Sequence, residues 1–140
     1  MSSQTELADR LHSAAIHVLR RVAREDTASG LGGPALSALS VVVFAGPLSL
    51  GKLAEAEQVT PPTMTRTVQG LEAAELVRRE KDEWDGRIVN IHATPKGVEV
   101  LQAARARRVA ALASSLARLG ERDLRTLERA ASLLERAASR

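Results

Sequence analysis

TPPTMTRTVQ, residues 60–69, and DGRIVNIHATPKG, residues 85–97, decide how this chain is read. In the first stretch Thr60 is a good N-cap, and Pro61 and Pro62 fall in the first helical turn, where their missing N–H groups cost little. Met64, Val68 and Leu71, spaced i, i+4, i+7, turn inward on a helix running to about residue 74. That geometry turns Thr63, Arg66, Thr67 and Gly70 outward and leaves Thr65 and Gln69 on a neighbouring flank. Around the second stretch, residues 76–81 (LVRREK) and 87–93 (RIVNIHA) read as two short strands, with Val89, Ile91 and Ala93 alternating onto one buried face. DEWDG joins them, and Asp85-Gly86 supplies the turn chemistry. A helix able to enter a major groove, beside a ribbon able to reach the adjacent minor groove, is the layout of a winged helix-turn-helix. The predicted fold is therefore mainly α with a small β-hairpin wing, and double-stranded DNA is the leading partner.

Working outward, residues 5–24 carry Leu7, Leu11, Ala14, Ala15, Val18 and Val22 at helical spacing. GLGGP (30–34) ends a linker, and Pro34 sits in the first turn of a second helix reaching about residue 44. That helix is apolar on nearly all sides, which predicts central burial. Gly46-Pro47 breaks it. Ser49 then N-caps a short helix over 50–57 with Leu50, Leu53 and Ala54 inward, and the turn EQVT (57–60) points Val59 inward. After the ribbon, Thr94-Pro95 opens a long helix over 95–118, striped by Val98, Leu101, Val109, Leu112, Leu116 and Leu119. Gly120 ends it, and a last helix over 121–138 carries Leu124, Leu127, Ala131, Leu134 and Ala138.

The 140 residues are one domain's worth of chain. Lys+Arg 20 against Asp+Glu 17 gives a net charge of only +3. Over residues 60–96 six basic groups face six acidic ones, so DNA binding has to be argued from where the charges sit. Residues 97–140 hold nine arginines against five acids, on helices where a solvated face explains them. Cysteine is absent, which excludes a disulfide framework, a thiolate metal site and a thiol-based redox sensor. No apolar run approaches the roughly 20 residues that span a bilayer, and MSSQTELADR lacks the regions of a signal peptide. The expectation is a cytoplasmic chain with no membrane partner. One Phe and one Trp cannot build a base-stacking platform for RNA or single strands.

Short side chains let a recognition helix approach the bases, and a few long donors read them. Thr63 and Thr65 suit a thymine methyl or a phosphate. Arg66 suits a two-pronged contact to guanine O6/N7, worth about 1–3 kcal/mol of discrimination, and Gln69 suits adenine or water. An ordinary amphipathic surface helix fits the same pattern, and from the pattern alone the two readings weigh about equally. Arg87 lies just past a glycine turn, where an arginine can enter a narrow minor groove, and Asp85 two residues earlier can hold it by an ion pair. The plainer reading of that pair is an exposed hairpin tip. Trp84 is expected to fold back against the recognition helix. Nothing supports catalysis: His12 and His17 are five apart on one helix and so on different faces, His92 sits on a strand, and no metal or cofactor set is formed.

These residues resemble the MarR family of bacterial winged-helix regulators over nearly the whole chain. The likeness is carried by GPLSLGKLAEAEQVTPPTMTRTVQGLE (46–72) and by Asp85, Arg87, Thr94 and Gly97, which fit a D-x-R … T-x-x-G pattern. The resemblance implies one domain over 1–140, with the winged helix-turn-helix at 46–96 and dimerisation helices at 5–24 and 95–138. It implies an obligate homodimer on a pseudo-palindromic operator, usually a repressor relieved by a small aromatic or amphipathic effector. The expected DNA-facing set is Thr60, Pro61, Thr63, Thr65, Arg66, Gln69, Asp85 and Arg87. His12 or His17 is expected to line the effector cleft. Apolar stripes on the terminal helices, longer than a small core can bury, agree with the dimer. Two departures stand out. Glu75 occupies the place where Gly commonly ends the recognition helix, predicting a different helix end. Ala93 replaces a usual Leu, thinning the packing beneath the wing. A winged-helix protein-interaction module without sequence-specific DNA binding remains the alternative at this point.

Overall fold

The computed structural model describes residues 3–139. Six helices and a three-stranded antiparallel sheet follow in the order α1 (Gln4–Ala23), a 3₁₀ segment (Arg24–Ser29), α2 (Gly33–Ala45), β1 (Leu48–Ser49), α3 (Leu50–Ala56), α4 (Pro61–Ala73), β2 (Val77–Lys81), β3 (Val89–Ala93), α5 (Pro95–Leu116) and α6 (Glu121–Ala138). The starts of α3, α4 and α5 are set by side chains that the sequence made visible. Ser49, Thr60 and Thr94 each accept a hydrogen bond from the backbone N–H three residues on, and prolines fill the first turns of α4 and α5. Helix α1 starts with a capping box, Ser3 accepting from Glu6 N–H while the Glu6 carboxylate accepts from Ser3 N–H.

The core sits where α2, α3, α4, the sheet and the first half of α5 meet. Leu36, Ala38, Leu39 and Val42 of α2, Leu53 and Ala54 of α3, and Met64, Val68 and Leu71 of α4 are all buried there, with Leu76, Val77, Ile91, Leu101 and Ala104. Helix α2 is thus central as its composition demands, except that Phe44 at its end is 70 % exposed. The expected two-stranded ribbon is a three-stranded sheet in the order β1-β3-β2, because Leu48 and Ser49 pair with Ile91 and Asn90. Two residues are too few to show alternation, so nothing in the sequence announced β1.

The expected linker over 24–33 is structured. Its 3₁₀ segment buries Asp26, whose Oδ1 accepts from Arg108 Nε at 2.6 Å while Oδ2 accepts from the terminal guanidinium nitrogen. This two-pronged bond clamps the segment to α5 and holds the Arg108 guanidinium above its ordinary pKa. Val59, expected to point inward, is 37 % exposed. The preceding Gln58 takes a left-handed conformation, φ 55°, with its N–H bonded to Glu55 O and Val59 N–H to Ala54 O, and this closes α3 as a Schellman turn. No single helix among the described residues is long and apolar enough to cross a membrane.

Candidate nucleic-acid interface

Helix α4 exposes Thr63, Arg66 and Gly70 as its periodicity predicts, with Thr65 half-buried on a flank; Thr67, expected outward, is half-buried, and Gln69, expected on the flank, is exposed. Hydrogen bonds sort the hydroxyls. Thr60 Oγ1 accepts the Thr63 N–H and donates to Thr63 Oγ1 at 3.0 Å, so it is spent on the cap. Thr65 and Thr67 donate back to the Pro61 and Thr63 carbonyls at 2.9 and 3.2 Å. That leaves the Thr63 hydroxyl hydrogen, the Arg66 guanidinium and the Gln69 amide without protein partners among the described residues, all on one side of α4. Pro61 lies exposed in the first turn with them.

The end of α4 contradicts one expectation. Glu75 does not divert the helix; it takes the left-handed conformation a glycine would, with φ 62°. Its N–H bonds Glu72 O and Leu76 N–H bonds Leu71 O, both at 2.9 Å, the paired bonds of a Schellman turn. Leu71 and Leu76, the two residues that bracket the turn, are both buried, and this apolar contact holds the unfavourable φ. Thr94 Oγ1 donates to Glu75 O at 2.6 Å and Lys96 Nζ to Ala74 O at 3.1 Å, so the start of α5 stitches the end of α4. Gly97 is what permits this. A Cβ there would lie 2.1 Å from the Leu76 carbonyl oxygen, closer than any side-chain carbon can come. The T-x-x-G spacing is therefore a packing requirement of the wing's root.

β2 and β3 run in register from Val77 opposite Ala93 to Lys81 opposite Val89. Ile91 is fully buried, whereas Val89 and Ala93 are half-buried. Arg79, opposite Ile91 in the register, donates Nε to Glu72 at 3.1 Å, tying wing to α4. On the outer face Glu80 pairs with Arg78 and lies 3.3 Å from His92 Nε2, and the Arg78 hydrogen bond holds the Glu80 carboxyl below its usual range.

The loop at the tip is organised by Asp82, which sequence reasoning missed. Its Oδ2 accepts the Trp84 and Asp85 N–H groups at 3.1 and 3.0 Å, and its Oδ1 accepts Asn90 Nδ2 at 2.9 Å. These bonds, that from Asn90 first, hold the Asp82 carboxyl below its usual range. An aspartate followed two and three residues later by loop N–H groups was a signal available in DEWD. Asp85 Oδ1 accepts both the Arg87 N–H at 3.0 Å and Arg87 Nε at 3.1 Å, yet the arginine side chain stays 92 % exposed. Trp84 does not fold back on α4: it is 92 % exposed at the tip, because the Asp82 bonds turn the backbone outward at that residue.

A cleft of about 670 Å³ lies between α1, α2 and α5, walled by Val18, Val22, Leu36, Phe44 and Val109 with Arg105 and Arg108 on its rim. Neither His12 nor His17 lines it. The α1 residues that face α5 are Val18 and Val22, and His17 is turned about 100° away from Val18 into a separate depression with Leu7 and Arg10.

A central helix, a helix-turn-helix and a three-stranded wing over one core define a winged-helix protein. The model of the MarR family matches residues 34–89. An HTH-type transcriptional regulator of Mycobacterium bovis is 34% identical over 126 residues, covering 89% of this chain and 88% of that protein. The chain belongs to the MarR family of transcriptional regulators. Among solved structures, a MarR family protein from Bacillus stearothermophilus is similar at TM-score 0.79 and 25% identity, over 100% of this chain and 99% of that one. A MepR variant of Staphylococcus aureus bound to an oligodeoxyribonucleotide shares the fold at TM-score 0.71 and 16% identity, over 95% of this chain and 98% of that one.

Proposed function

We propose that this regulator binds double-stranded DNA sequence-specifically, as a homodimer on a pseudo-palindromic operator in the cytoplasm, and acts as a repressor relieved by a small ligand. The observation that carries the reading is the exposed side of α4, where Thr63, Arg66 and Gln69 keep unspent hydrogen-bonding groups beside a hydrogen-bonded wing tip bearing Arg87. Arg66 reads a base edge in the major groove. Thr63 and the methyl of Thr65 position the helix, with Thr60 and Pro61 setting its N-terminus against a phosphate. Arg87, oriented by Asp85, enters the minor groove. A Staphylococcus aureus MepR variant of the same fold is bound to an oligodeoxyribonucleotide, which supports DNA as the partner.

The dimer is supported by α6, in which no described residue is buried, and by exposed Leu7, Leu11 and Leu19 on α1. The cleft between α1, α2 and α5 suits an aromatic or amphipathic acid: its wall is mostly apolar, and Arg105 lines it while Arg108 is already committed to Asp26.

Selection of bound duplexes from a random pool tests the reading. Wild type should enrich one pseudo-palindrome, and its affinity should fall steeply with added salt. Arg87→Ala should weaken binding to nearly all sequences. Arg66→Ala should relax one position in each half-site, by about 1–3 kcal/mol of discrimination. A wild-type pool with no enriched sequence would show a protein-interaction module instead, and wild-type behaviour by both variants would show that the reading residues lie elsewhere.

A further inference from the structure

Trp84 is the most exposed large apolar side chain among the described residues, and it is the only tryptophan in a chain with one other aromatic residue. It caps no core and covers no neighbour. It is also held in place. Asp82 binds the N–H of Trp84 itself, the N–H of Asp85 and the Asn90 amide, and Asp82 N–H donates to Ile88 O at 2.9 Å, which closes the base of the loop. The loop thus carries two highly exposed groups three residues apart, the indole of Trp84 and the guanidinium of Arg87, with Ile88 exposed next in the chain.

Asp82, Glu83 and Asp85 all carry charge at this tip; Asp82 accepts only from neutral donors, and of the three only Asp85 is paired with a cation, Arg87. An exposed indole and an exposed arginine on one hydrogen-bonded ribbon tip match the chemistry of a minor groove, whose walls are apolar sugar edges and whose floor is electronegative.

We propose that Trp84 is a DNA-contacting, specificity-determining residue of the wing, laying its indole against the sugars of the minor groove and wedging toward the adjacent base step. This rests on the DNA-binding reading above. An apolar wedge partly unstacks a step, and pyrimidine–purine steps yield most easily. The wing therefore reads deformability, favouring TA or CA steps at fixed positions outside the bases that α4 reads.

Full-length wild type, Trp84→Ala, Trp84→Phe and Arg87→Ala are compared on the wild-type selected duplex and on the random pool. The fluorescence of the single tryptophan should quench and shift to the blue on saturation with that duplex. Trp84→Ala should bind roughly tenfold more weakly, lose the flanking-step preference and keep the wild-type slope of log Kd against log salt, because an indole displaces no counterion. Trp84→Phe should recover most of the affinity. Arg87→Ala should lower the slope by about one per protomer, so about two for the dimer. Wild-type affinity and sequence preference in Trp84→Ala, or unchanged fluorescence at saturation, overturns the proposal while Arg87→Ala still reports DNA binding. A reduced salt slope in Trp84→Ala also overturns it, since that is the signature of a collapsed wing. If wild type enriches no duplex at all, the DNA-binding reading fails and takes this proposal with it.

Discussion

Glu75 shows how one residue is made to accept a conformation it disfavours. A left-handed φ brings Cβ against its own carbonyl and costs about 1–2 kcal/mol in a non-glycine residue. The fold enforces it because Leu71 and Leu76 must both reach the core, and only a sharp Schellman turn lets them. The Glu75 side chain returns little: its pairing with Lys96 is long, at 3.9 Å, and lies in solvent. Glu75→Gly should remove the strain but add unfolded-state entropy of about 0.5–1 kcal/mol. The net expectation is a gain of about 0.5–1 kcal/mol, seen as a higher urea midpoint with an unchanged m value. A lower midpoint would mean that the contact with Lys96 outweighs the strain. The departure from glycine was visible in the sequence. That the backbone would hold its course was not, because the restoring force comes from core packing and from Thr94, nineteen residues away.

Among the elements, those announced by their own local chemistry were legible. Ser49, Thr60 and Thr94 are caps whose partners lie three residues on, so α3, α4 and α5 begin where the sequence places them. The buried stripe of α4 and its outward Thr63, Arg66 and Gly70 follow from a 3.6-residue period alone. What stayed hidden depends on distant pairing. Strand β1 exists only because β3 offers it an edge, and the 3₁₀ segment is anchored by Arg108, far along the chain from Asp26. The wing tip lies between these cases: Asp85 and Arg87 were legible, whereas the direction of Trp84 is set by Asp82. That dependence has a pH signature. The Asp82 carboxyl is held below its usual value, so its ordering of the loop is fully present above the usual carboxylate range. The ordering is lost as pH falls through the lowered value. Trp84 fluorescence anisotropy should accordingly hold constant through neutral pH and drop only in acid. Asp82→Ala should show the low anisotropy at every pH, with the fold's overall helicity retained. An Asp82→Ala protein with wild-type anisotropy would mean the loop is ordered by something else.

For the whole molecule the surface area makes the argument. The chain exposes 10493 Å², whereas a compact monomer of 15.0 kDa is expected to expose about 7,000 Å². The excess is on the order of 3,000 Å², and α1 and α6 contribute to it with leucines at helical spacing that face outward. Large, apolar, permanent interfaces bury roughly 2,000–5,000 Å² or more summed over both partners, so part of the excess on each chain suffices, and the proposed homodimer is the state in which these two helices are covered. It also yokes two reading heads, so DNA affinity and oligomeric state are coupled. Replacing Leu127 and Leu134 together by Arg places two charges in that interface without touching the core of the winged domain. Sedimentation equilibrium should show wild type at twice the chain mass and the double variant at 15.0 kDa. The variant should bind the selected duplex far more weakly, with about half the salt slope, because one head releases about half the counterions of two. A wild type that sediments as a single chain refutes the dimer. A double variant that keeps the dimer mass would refute α6 as its seam and move the interface to other exposed apolar residues, such as Phe44 and Val109.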